Sequence, residues 1–90
     1  MHKMKVLLSS IAKNDIRLLM RVFNAEKSNK GTDFLEGLKE SIGQILQYSE
    51  PLEKKCRKVT VNKMQNFPVN IHYIFEDEES LLVTAIFKEN

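Results

Sequence analysis

Apolar residues recur at two periods along the chain, and each change of period marks a new element. Over 69–75, Val69, Ile71, Tyr73 and Phe75 alternate with Asn70 and His72, and Ile74 is the one exception. A period of two sends successive side chains to opposite faces, so this stretch predicts a half-buried strand. Pro68 has no amide hydrogen and fits only at the first residue of that strand. The run 81–87 (LLVTAIF) is almost wholly apolar and β-prone, the pattern of a strand covered on both faces. Glu76, Asp77, Glu78, Glu79 and Ser80 lie between the runs. They favour water and turns, so the pair predicts a β-hairpin with a solvated acidic tip.

Upstream the period changes. Val6, Leu7 and Leu8 predict a strand over 4–8, and Ser9 and Ser10 then offer hydroxyls to the first free amides of a helix. Within 11–25, Ala12, Ile16, Leu19, Met20 and Phe23 share one side at helical spacing. Ile11, Leu18 and Val22 widen that arc on its flank, while Lys13, Asn14, Arg17, Arg21 and Asn24 lie opposite. The arc is wider than one sheet face needs. The helix therefore touches a sheet and a second helix, or a sheet and a binding partner. The polar EKSNKG at 26–31 allows a reversal, and so short a connector predicts an antiparallel helical hairpin. Thr32 or Asp33 is the expected cap of the second helix, Asp33 and Glu36 having capping-box spacing. Phe34, Leu35, Leu38, Ile42, Ile45 and Leu46 form its stripe, and Pro51 requires it to end by about residue 49. Over 58–62, Val59 and Val61 alternate with Lys58, Thr60 and Asn62, predicting a strand at or near a sheet edge. The order is β-α-α-β-β-β. Its simplest closed form is an α+β domain over 1–90, a helical hairpin packed on one face of a roughly four-stranded, mainly antiparallel sheet.

Composition narrows the chemistry. Ninety residues leave little room for a deep catalytic cavity. Cys56 is the one cysteine, which excludes an internal disulfide and suits a reducing compartment. The apolar run at 6–8 is too short for a secretory signal, and no run is long enough to span a membrane. A cytoplasmic protein without membrane attachment is expected. Charge is uneven: residues 1–67 hold thirteen Lys/Arg against seven Asp/Glu, and residues 68–90 hold one against five. Lys54, Lys55, Arg57, Lys58 and Lys63 fall within ten positions that contain no acid. Such a patch attracts a polyanion or an acidic peptide, or else keeps a strand edge solvated.

Catalysis needs convergent groups. RNA cleavage by attack of a 2′-hydroxyl requires a base, an acid for the leaving oxygen and a cation for the phosphorane. His72 or Tyr73 can move protons, and Arg57, Lys58 or Lys88 can supply charge. His72 and Tyr73 are neighbours on a strand and face opposite sides, and Tyr73 falls with the core residues. His72 and Lys88 thus remain as the catalytic candidates. Ile11, Leu18, Val22, Arg57 and Lys58 are the candidates for contact with a protein partner. Cys56, His2 and His72 lack the spacing of a metal site, and the acidic turn lacks the glycine and alternating ligands of a calcium loop. No metal or other cofactor is expected.

Several stretches carry a family resemblance. Phe67-Pro68-Val69-Asn70-Ile71-His72-Tyr73 resembles the Phe-Pro-x-x-Ile-x-Tyr strand of the RelE/ParE toxins of bacterial type II toxin–antitoxin systems. Ala12-Lys13-Asn14-Asp15-Ile16 is similar to the opening of that family's first helix. Phe34-Leu35 with Leu38, and Ile42 with Leu46, resemble its second helix, and Pro51 stands where the family usually has proline. The ParE-like branch, also called plasmid stabilisation proteins, is the closer match. The resemblance implies the same α+β fold and a toxin silenced by a cognate antitoxin. It also implies a protein target such as DNA gyrase, or ribosome-bound messenger RNA in the RelE-like alternative. A homodimer, or a heterotetramer with the antitoxin, is the assembly it allows. The RNA-cutting members carry an arginine where Asn70 stands, and usually a histidine where Lys88 stands. Both departures point away from the nuclease branch, or towards a family member that keeps only a binding role.

Overall fold

A computed structural model of the chain describes residues 5–48 and 58–89. Six elements follow in the expected order: β1 (Lys5–Leu8), α1 (Ser10–Glu26), α2 (Lys30–Tyr48), β2 (Thr60–Lys63), β3 (Val69–Asp77) and β4 (Ser80–Lys88). The strands form one sheet in the order β1-β4-β3-β2. β2 and β3, and β3 and β4, pair antiparallel, while β1 joins β4 in parallel. A parallel neighbour requires a long crossover, and here the intervening chain supplies it.

One face of the sheet builds the core. Val69, Ile71, Tyr73 and Phe75 of β3, with Leu81, Val83 and Ile86 of β4, are buried against Ala12, Leu19 and Phe23 of α1 and Phe34, Leu38 and Ile45 of α2. On β4 the buried parity changes between Val83 and Ile86. Pairing there steps from Tyr73↔Val83 to His72↔Ala85, which leaves Thr84 as an extra residue in the ladder. The Thr84 hydroxyl donates to the His72 carbonyl at 3.2 Å and fixes the irregularity. Phe23, Phe34 and Phe67 meet as an aromatic triad with centroid separations of 5.1, 5.1 and 5.7 Å, locking both helices to the segment before β3.

Three expectations need correction. β4 is covered on one face, not both. The connector at 27–29 is so short that both helices pack on the same side. The other side is left with Phe87, which is 51 % exposed, and with Leu7, paired to Leu82 and 44 % exposed. The second helix starts at Lys30, so Thr32 and Asp33 lie inside it rather than capping it. The chain reverses at Asn29, whose φ of 67° is left-handed, and the Asn29 carbonyl accepts from Asp33 N–H at 3.2 Å. The capping acceptor comes from the other helix: Asn24 Oδ1 accepts from Gly31 N–H at 2.8 Å. The hairpin tip is two residues, Glu78 and Glu79, with Asp77 accepting from Glu79 N–H at 2.7 Å. The first-helix cap is as expected, the Ser9 hydroxyl accepting from Ala12 N–H at 3.0 Å. β2 is a sheet edge, also as expected, although it begins two residues late at Thr60. The loop at 52–57, with Pro51, Cys56 and Arg57, lies outside the described residues.

Candidate functional site

The two catalytic candidates are not brought together. His72 pairs with Ala85 and sets its ring edge-on to Phe87, 4.8 Å between centroids, on the open face of the sheet. Lys88 pairs with buried Val69 and so points to the helix side. There it lies 3.5 Å from Glu26 and 5.5 Å from the Phe23 ring. Lys30 also approaches this ring, at 5.3 Å, and binds Glu26 at 2.9 Å. Lys88 thus fastens the end of β4 to the helical hairpin. The Lys30 hydrogen bond, joined by the charges of both lysines, holds the Glu26 carboxyl below its ordinary value.

Asn70 is equally engaged. Its amide donates to Glu89 at 3.0 Å, and the other Glu89 oxygen meets Lys63 at 3.2 Å. Those two contacts, the Asn70 bond first, hold the Glu89 carboxyl low. Lys63, which pairs with Asn70 across β2 and β3, is therefore already held by an acid. Lys58 is exposed before β2, away from His72's partner Ala85. An open groove of about 370 Å³ between α2 and β2 is lined by Gln44, Tyr48, Thr60, Asn62 and Tyr73 among others, with no carboxylate, imidazole or cation among the described lining residues. Among the described residues no cluster of proton-transfer groups lines this groove.

The most distinctive surface is α1. The helix touches the sheet and α2, yet Ile11, Leu18 and Val22 stay 62 %, 50 % and 40 % exposed. Further round the helix, away from that ridge, lie Lys13, Arg17 and Arg21, all exposed and four residues apart. Among the described residues no acid comes within ion-pair distance of them. The acids of α1 are occupied elsewhere: Asp15 bonds the amide of Ile86 at 3.0 Å, and Glu26 is held by the two lysines. Like charges at this spacing cost a helix about 0.2–0.5 kcal/mol per pair. The sequence pattern places Lys13, Arg17 and Arg21 on the solvated side of the helix, and all three are exposed. The legible signal was their regular spacing with no acid three or four positions away.

No family model and no curated protein matches this chain. Among solved structures, a chain of the chromosomal ParDE toxin–antitoxin system from P. aeruginosa is similar in fold. The match covers 100 % of this chain and 100 % of that chain, with a TM-score of 0.75 and 10 % identity. What the two share is the α+β arrangement of two helices on a four-stranded mixed sheet.

Proposed function

We propose that this chain is the toxin of a type II toxin–antitoxin pair, of the ParE-like kind, that acts by binding a protein target of the DNA gyrase type. A co-encoded antitoxin keeps it silent by covering α1. The observation that carries the reading is the end-to-end fold likeness to a chain of a ParDE system. The exposed ridge of Ile11, Leu18 and Val22 supports it, because a helix otherwise packed on its own core leaves apolar area of this kind for a partner. The separation of His72 from Lys88, and the pairing of Asn70 with Glu89, favour target binding over RNA cleavage. Among the described residues no helix is long and apolar enough to cross a membrane.

The test is induced expression with two readouts. Primer extension on messenger RNA should find intact message. Purified chain added to DNA gyrase should lower its supercoiling activity. Codon-specific cuts in the message would replace this reading with the RelE-like one.

A further inference from the structure

We propose that β2 pairs edge to edge with β2 of a second copy of this chain, antiparallel, with Val61 opposite Val61 on the two-fold axis. The two four-stranded sheets then join into one. The proposal goes beyond the toxin reading and does not rest on it. The backbone, the side chains and the charges of this edge carry it.

β2 ends the sheet, and beyond β3 it has no strand neighbour among the described residues. Met64 N–H donates to the Val69 carbonyl at 2.9 Å, and the register continues through Asn62↔Ile71 and Thr60↔Tyr73. Antiparallel pairs alternate between bonded and unbonded, so the even-numbered residues bond to β3. Val61 and Lys63 therefore turn their N–H and C=O groups away from the sheet. Two such edges with Val61 on the axis match these groups to one another. Val61 exchanges two hydrogen bonds with its copy, and Lys63 does the same with Val59 of the other chain. The sheet's other edge offers a shorter run. Lys5 and Ser9 N–H bond to the Glu79 and Val83 carbonyls, which leaves Val6 and Leu8 facing outward before Ser9 caps α1.

Side chains match in the same register. On the open face, Val61 (53 % exposed) meets Val61, and Val59 (56 % exposed) meets the aliphatic stem of Lys63. Thr60 and Asn62 point to the helix side, where they line the groove, and each Thr60 hydroxyl there faces an Asn62 amide. Charge usually keeps such edges apart. Here Glu89 holds the Lys63 ammonium at 3.2 Å. The two copies of Lys63 also lie four positions apart along the joint, about 14 Å. Moving the axis to Asn62 would halve that separation, so the charges favour Val61.

Sedimentation equilibrium of the full chain, made by cell-free synthesis, should show monomer and dimer with a Kd on the order of 100 μM, as suits so short a joint. Val61→Lys sets like charges directly opposite and should weaken the dimer by about tenfold or more, with the circular dichroism spectrum and melting temperature in place. Val6→Lys, on the other edge, should leave it unchanged. Cross-linking in a Cys56→Ser background locates the axis. A hydrogen-bonded antiparallel pair holds its Cα atoms about 5.5 Å apart, within disulfide reach. Val61→Cys should close a disulfide with its copy under mild oxidation, and Asn62→Cys, which lies opposite Thr60, should not. Equal cross-linking at both positions, or a dimer weakened by Val6→Lys and not by Val61→Lys, would overturn the proposal. A chain that stays monomeric well above the expected Kd would overturn it too and leave the edge to a strand of another protein.

Discussion

The carboxylate of Asp15, on the first helix, accepts a hydrogen bond from the backbone amide of Ile86, on the last strand, at 3.0 Å across 71 positions of sequence. That amide belongs to the part of β4 that β1 no longer reaches. The bond ties α1 to the sheet and denies the edge to another strand. Asp15→Ala should lower the unfolding free energy by about 1–3 kcal/mol, since a charge-assisted bond is lost and a part-buried amide is left without a partner. It should also make the protein associate as its concentration rises. Asp15→Asn keeps an acceptor and should retain most of the stability. An unchanged urea midpoint in Asp15→Ala would remove this role.

Gly31 and Gly43 give a pair of predictions of opposite sign. A Cβ on Gly31 would lie 2.6 Å from the Met20 carbonyl oxygen, so the two helices must separate to admit it. Gly31→Ala should cost about 1–3 kcal/mol, as overpacking does, although alanine is the better helix former. A Cβ on Gly43 meets nothing within 4 Å, and Gly43→Ala should add up to about 1 kcal/mol. Chemical denaturation of both variants reads the signs directly. Stabilisation by Gly31→Ala would mean that the close approach is absent.

Acid should weaken the fold through Glu26 and Glu89. Both carboxyls are held below their ordinary value in the folded chain, Glu26 by the hydrogen bond from Lys30 first and Glu89 by that from Asn70 first. A depressed folded value stabilises above the unfolded one, about 4.3 for glutamate, and the gain disappears as pH falls through the folded values. The denaturant midpoint should therefore drop on acidification below about pH 4.3. E26Q/E89Q should flatten part of that drop. An identical acid limb in the double variant would contradict the assignment.

His72 and Lys88 should prove dispensable for any toxic effect. His72→Ala removes the ring contact with Phe87, and Lys88→Ala removes the tie to Glu26 and Phe23. A pair this exposed contributes at most about 1 kcal/mol. Each single variant should still arrest growth when expressed. Loss of arrest in both, with folding intact, would revive the nuclease reading.

The sequence carried the fold because periodicity and burial agree at the residues that matter. Val69, Ile71, Tyr73 and Phe75 alternate and are buried, and Phe34 and Leu38 lie on the helical stripe and are buried. What failed was decided by contacts between distant residues. The second helix begins early because Asn24, on the first helix, reaches Gly31 N–H. The last strand looked covered on both faces because Leu82 and Phe87 are apolar, but the three-residue connector leaves no helix for the second face. The candidate site was half legible. Ile11, Leu18 and Val22 stood out as surplus to the core, and they are exposed. Lys13, Arg17 and Arg21 lie on the solvated side of the same helix, and its acids Asp15 and Glu26 are spent on Ile86, Lys30 and Lys88.

The central claim is toxicity held in check by a partner, and a viable count after induction tests it most directly. The chain expressed alone in a bacterial host should lower the count by orders of magnitude, and co-expression of the reading frame beside its gene should restore it. A count that stays level with the chain expressed alone would contradict the account.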